Sequence, residues 1–222
     1  MKDNVIAWPV KTGERIHNHF DSSIWNDFLF RDDDIIIATY AKAGTTWLQQ
    51  IVSQLIFNGE EGLNVAEMSP WLDFRLPPKE EKLADLEAQT HRRFIKTHLP
   101  VDALTFSPKA KYLYIARDGR DVLWSYYNHH SNFLPDMYER MAEVCPPGME
   151  RFAPITRDVV DFFHEWRARD GWPIWPFWGN IASWWAVRDL PNVMLLHFND
   201  LKADMPGQMR KIADFLDIPI DE

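Results

Sequence analysis

Hydrophobic residues fall along this chain in short unbroken runs, separated by longer stretches with three- and four-residue periodicity. Ile35, Ile36 and Ile37 are consecutive and β-branched, the pattern of a strand covered on both faces of a parallel sheet. From Thr45 onward Leu48, Ile51, Val52, Leu55 and Ile56 recur at the spacing of a helix with one buried face. The alternation returns further on: residues 93–100, 110–116 and 192–198 predict three more strands. Helices are predicted over 79–90, from Val122 onward, and over 158–169, 181–190 and 208–216. Strands alternating with helices predict an α/β fold, a central parallel β-sheet flanked by helices. Residues 31–34, Arg-Asp-Asp-Asp, read as a solvated turn into the first strand. The Pro- and Trp-rich stretch 131–180 reads either as a lid over the sheet edge or as packing.

Candidate chemistry sits where predicted strands end. Gly44 permits a backbone that other residues resist, Thr45 or Thr46 can cap the following helix, and its first N–H groups attract anions. Lys42 adds a positive charge on the same turn. An ordinary βα turn with a surface lysine would read the same way. The turn is not a Walker A loop, because its lysine precedes Gly44 by two positions instead of following a glycine directly. In the second strand Lys96 and His98 are two apart and share a face, near the carboxyl end where open α/β sheets bind ligands. Taken alone, His98 could instead hydrogen-bond only its own surroundings. Arg117 closes the third strand and Ser125 follows two helical turns later. Both could reach a phosphate, or Arg117 could pair with Asp118 or Asp121. The loop from Met68 to Phe74 is either core or pocket wall.

Composition narrows the partners. A chain of 222 residues without a Gly/Ser tract or repeat predicts a single domain over residues 1–222. A formal net charge of −9 argues against a general nucleic-acid binder and leaves room for a small anionic ligand. Cys145 is the only cysteine, so an internal disulfide or cysteine-based zinc site is excluded, and a reducing, cytoplasmic compartment is expected. The N-terminal residues lack a signal-peptide core, and no run approaches the ~20 apolar residues of a membrane helix. No His/carboxylate cluster has metal-ligand spacing, so no metal is expected, and a homodimer stays open.

With those residues assembled, the chain resembles the cytosolic-type sulfotransferases, which use 3′-phosphoadenosine 5′-phosphosulfate (PAPS). Tyr40-Ala-Lys-Ala-Gly-Thr-Thr-Trp47 resembles the family's Y-P-K-S-G-T-T-W loop, with Ala41 and Ala43 replacing proline and serine. Phe94-Ile-Lys-Thr-His-Leu-Pro100 resembles the segment bearing the catalytic histidine. Arg117-Asp-Gly-Arg-Asp-Val-Leu-Trp-Ser-Tyr-Tyr127 resembles the 3′-phosphate segment, and residues 192–216 the stretch after it. The resemblance implies a P-loop-kinase-like sulfotransferase fold. It implies that Lys42, Ala43, Gly44, Thr45 and Thr46 hold the 5′-phosphosulfate, that Trp47 stacks on adenine, and that Arg117 and Ser125 hold the 3′-phosphate. His98 would be the general base and Lys96 would contact the transferring group. The implied reaction moves a sulfuryl group from PAPS to a hydroxyl or amine of a small, apolar acceptor, leaving 3′-phosphoadenosine 5′-phosphate (PAP). Trp71, Phe74, Phe133 and the 172–178 stretch suggest such an acceptor. Phe198 stands where the family often has a tyrosine, and the family's closing Arg-Lys-Gly segment is absent from these residues, which suggests a domain lacking that segment. The alternative is a P-loop-type nucleotide kinase or a non-catalytic nucleotide-binding protein.

Overall fold

The computed structural model describes residues 6–171 and 175–220. Strands β1 (Ile35–Thr39), β2 (Phe94–Thr97), β3 (Lys111–Ala116) and β4 (Val193–His197) form one four-stranded sheet in the order β2-β1-β3-β4. Every pairing is parallel. All of β1 is buried, and its side chains divide between two cores. Ile36 and Ala38 pack with Tyr112 and Tyr114 on one face; Ile35 and Ile37 pack with Leu113 and Ile115 on the other. Two-sided cover is why the isoleucine run shows no alternation.

Helix α1 (Thr45–Ile56) buries Leu48, Ile51, Val52 and Leu55 on one face of the sheet, beside α9 (Met205–Phe215). On the opposite face lie α4 (Gly119–Ser131), α6 (Val159–Ala168) and α7 (Phe177–Ala186), which contribute Val122, Phe162, Trp166 and Trp184. Short α2 (Val65–Met68), α3 (Lys79–Ala88), α5 (Pro135–Glu143) and α8 (Phe198–Ala203) complete the α-helices. The chain leaves β1 toward β2 and returns on β1's other side as β3. The point where direction reverses is where open α/β sheets leave a crevice at their carboxyl edge.

The acidic turn before β1 departs from expectation. Asp34 is fully buried, and its carboxylate takes two charge-assisted hydrogen bonds, from Arg93 Nε at 2.7 Å and Nη2 at 2.6 Å. A buried charge persists only when paired, and Arg93, buried beneath the sheet's amino edge, is that pair. Among the described residues no helix is long and apolar enough to cross a membrane.

Candidate active site

The carboxyl edge of the sheet opens into a cavity of about 530 Å³. Lys42, Gly44, Thr45, Thr46, Trp47, Lys96, His98, Arg117 and Ser125 all line it. Ala43 does not: its methyl is in the core, and its N–H donates to the Tyr40 carbonyl at 3.2 Å.

The turn after β1 is bent by two left-handed residues, Lys42 at φ 67° and Gly44 at φ 118°. A Cβ on Gly44 would come within 2.9 Å of Phe198, so both conformation and space require glycine here. No side chain caps α1. Thr45, expected as a cap, bonds instead to the Thr39 hydroxyl, oxygen to oxygen at 2.6 Å. The helix therefore presents uncapped N–H groups and the positive end of its dipole to the cavity. Thr46 is exposed, and Trp47 meets Phe198 edge-on with ring centroids 5.1 Å apart.

Arg117 ties the third turn to the first by donating from Nη1 to the Lys42 carbonyl at 3.3 Å. Its guanidinium lies over the Phe198 ring at 4.2 Å, and its Nε makes a long 3.5 Å ion pair with Asp121. That buried Nε has no hydrogen-bond partner among the described residues, so the fork retains donor capacity. Asp118 does not pair with it; this carboxylate is held by Arg120 at 2.9 Å.

His98 follows β2 and is buried. Its Nδ1 lies 2.9 Å from the Thr39 carbonyl oxygen and 2.9 Å from Thr39 Oγ1. A carbonyl only accepts, so Nδ1 carries the proton and Nε2 is the basic nitrogen. Burial pushes the imidazole well below its ordinary value, and the Lys96 charge adds to the effect, so the ring is neutral near pH 7. Trp71 meets it edge-on at 4.7 Å and Trp175 stacks at 5.9 Å. Helix α7 pins the backbone behind it: Asn180 donates to the His98 carbonyl at 3.0 Å and Trp184 to that of Leu99 at 3.1 Å. Tyr40, the first residue of the loop motif, fixes Trp175 by donating to its carbonyl at 3.0 Å.

Lys96 rests its ammonium over Trp71, 4.8 Å from the centroid. Desolvation lowers its pKa to about 8, against the pull of Asp73 and with help from Lys42. Burial also lowers Lys42, and Arg117 adds to the shift. Asp73 itself lies buried beneath the cavity, accepting from Trp71 Nε1 at 2.7 Å and Trp25 Nε1 at 3.2 Å.

Away from the cationic wall the cavity is aromatic: Trp71, Phe74, Phe133, Phe152 and Trp175, with Met137 and Met141 from α5. Of the tryptophan-rich stretch, Trp175 lines the cavity, Phe177 is core and Trp178 is exposed, while residues 172–174 lie outside the described residues. Sequence reasoning missed Thr39, Asp73 and the histidines His19, His129 and His130 that also line or support the site. Thr39 had left a trace, the one hydroxyl closing an otherwise apolar strand.

A family described as the sulfotransferase domain matches residues 32–222. The chain belongs to the sulfotransferase family. A glycolipid sulfotransferase of Mycobacterium tuberculosis is 34% identical over 219 residues, covering 89% of this chain and 67% of the relative. Luciferin sulfotransferase of Photinus pyralis is 31% identical over 222 residues, covering 88% of this chain and 54% of the relative. The crystal structure of a mouse sulfotransferase complexed with PAP superposes with a TM-score of 0.67 at 22% identity, covering 90% of this chain and 63% of that one, and shows the shared sulfotransferase fold. The chain thus spans roughly two thirds or less of the length of these relatives.

Proposed function

We propose that this chain transfers a sulfuryl group from PAPS to a hydroxyl, or amine, of a small apolar acceptor, with His98 as general base. The observation that carries the reading is the tautomer Thr39 imposes: a neutral imidazole whose basic Nε2 belongs to the wall that also holds Lys42 and Lys96. The residues present fit the nucleotide. Among the described residues the uncapped N–H groups of α1 and the Lys42 ammonium have no side-chain acceptor, and Arg117 Nε has only the long ion pair with Asp121. PAPS, when bound, supplies an activated sulfuryl group on a phosphate leaving group.

His98 Nε2 takes the acceptor's proton as the oxygen–sulfur bond forms. Lys42 and the α1 amides receive the charge that builds on the departing phosphate as the old sulfur–oxygen bond breaks. Lys96 neutralises the transferring group, and Arg117 with Ser125 anchors the far phosphate. The aromatic wall favours an apolar acceptor body, and similarity to a glycolipid sulfotransferase supports an acceptor that carries a lipid portion. A cytoplasmic setting belongs to the same reading, supported by the free thiol of Cys145.

The test uses labelled PAPS with a panel of phenols, steroids, sugars and amines. PAP should raise the melting temperature without magnesium, whereas a kinase would prefer ATP with magnesium. His98→Ala should lose about 10²–10⁴-fold in turnover, the usual contribution of a general base, and keep its protection by PAP. Wild-type turnover in that variant would remove His98 from the role.

A further inference from the structure

A second cavity, of about 340 Å³, lies behind the aromatic wall of the first, and Phe152 lines both. Elsewhere the partition is two side chains thick: His17 faces the second cavity, His19 faces the first, and their Nδ1 atoms are 3.2 Å apart. Phe152 hangs on a strap between two side-chain ties, Asn18 Nδ2 to the Glu150 carbonyl at 3.0 Å and the Tyr127 hydroxyl to the Arg157 carbonyl at 3.1 Å. Between those ties, residues 151–156 make no backbone–backbone hydrogen bond among the described residues. Ring contacts to His130 at 4.6 Å, His19 at 5.3 Å and Tyr138 at 5.8 Å hold the phenyl group. Turning it aside disturbs those contacts without breaking a ladder, which marks a locally weak segment.

The first cavity carries Lys42, Lys96 and Arg117 along one side, where the reading above seats the nucleotide, and an elongated acceptor would have to extend away from them. The second offers the apolar side chains of Phe162, Ile155 and Met149 beside the polar Asn18, Glu150, Arg151 and Arg157, so an apolar body can lie along one side of it. We propose that the second cavity is a distal subsite for the acceptor, entered past Phe152, and that the acceptors it serves are elongated apolar alcohols. This rests on reading the first cavity as the sulfuryl-transfer site. The reacting hydroxyl sits at His98 and the body of the molecule runs through the partition.

A series from 4-methylphenol to 4-octylphenol at saturating PAPS tests it through kcat/KM. Each methylene that reaches the second cavity should add up to about fourfold. Ala153→Trp fills the second cavity from an exposed strap position and leaves the first untouched. It should leave 4-methylphenol unchanged and lower 4-octylphenol by about tenfold or more, the worth of two buried methylenes. Phe152→Ala, which opens the partition at the one side chain both cavities share, should raise the octyl-to-methyl ratio. Equal effects of Ala153→Trp on both ends of the series, or none on either, overturn the subsite while short-acceptor transfer keeps the enzyme reading intact. Protection by PAP with transfer to no member overturns the acceptor class and the subsite together. Loss of both protection and transfer in the wild-type protein overturns the sulfotransferase reading itself.

Discussion

Raising the pH through the range where Lys96 loses its proton probes the electrostatics of the site directly. Burial brings this ammonium down to about 8, with Asp73 holding it up and Lys42 pushing it further down. If the charged form is required, a single titration leaves about nine tenths of it at pH 7 and about one tenth at pH 9. The kcat/KM for PAPS, which reports on the free enzyme, should therefore fall about tenfold per unit above pH 8. His98 acts in the opposite sense: it must be neutral, and since its pKa lies well below the ordinary 6.5, the acid limb belongs below that value. Binding an anion beside Lys96 favours the ammonium, so the alkaline limb of kcat should sit at higher pH than that of kcat/KM.

Lys96→Arg supplies the control. A guanidinium does not deprotonate in this range, so the alkaline limb should move up to wherever Lys42 begins to titrate, whatever the absolute rate of the variant. Initial rates with labelled PAPS between pH 5 and 10, in buffers of constant ionic strength, give both profiles. Superimposable alkaline limbs in the two proteins, or a wild-type profile flat to pH 10, would refute the assignment of Lys96 as a required cation.

Three further outcomes test the frame around that site. Asp73→Asn keeps an acceptor oxygen for one of the two indole N–H groups, which reach different carboxylate oxygens, and deletes the charge that supports Lys96, so the alkaline limb should move to lower pH; no movement, or movement upward, contradicts the coupling. Gly44→Ala places a Cβ 2.9 Å from Phe198 at a φ of 118°, and urea unfolding should register a loss of about 1–3 kcal/mol with weaker PAP binding. Unchanged stability there would mean the turn relaxes freely. Arg93→Met strands the Asp34 carboxylate beneath the sheet and should cost about 3–5 kcal/mol by the same measurement, whereas a loss under 1 kcal/mol would mean water reaches it.

The fold was legible where a side chain's environment is dictated by its neighbours in sequence. The isoleucines of β1 could belong only to a strand covered on both sides, and α1 announced itself by period. Boundaries were less legible. Helix α7 begins at Phe177 because Pro176 stands at its N-cap, ahead of the periodic segment that starts at Ile181. Helix α5 begins with Pro135 in its first turn, a start signal present in the sequence and overshadowed by the surrounding prolines. Helix α8 was hidden because Phe198 reads as the end of β4, while the His197 side chain in fact accepts from Asn199 and caps a new helix. In the site, motif residues were legible and their supports were not. Thr39 meets His98 across 59 residues of sequence, and Asp73 meets Trp25 across 48; no local pattern encodes either contact.

The same supports explain how an acidic chain of net charge −9 sustains a cationic cavity. Lys96 is compensated by one buried carboxylate, Asp73, and by the face of Trp71 at 4.8 Å. Arg117 is compensated by Asp121 at 3.5 Å and by the face of Phe198 at 4.2 Å. Lys42 has neither an ion pair nor a ring among the described residues. Aromatic faces stabilise a cation without cancelling its charge, so the cavity keeps a positive excess even though the protein around it is negative. A low-dielectric wall concentrates that excess on whatever anion enters, and Lys42, without an ion pair among the described residues, stands at the uncapped end of α1 where such an anion would meet it.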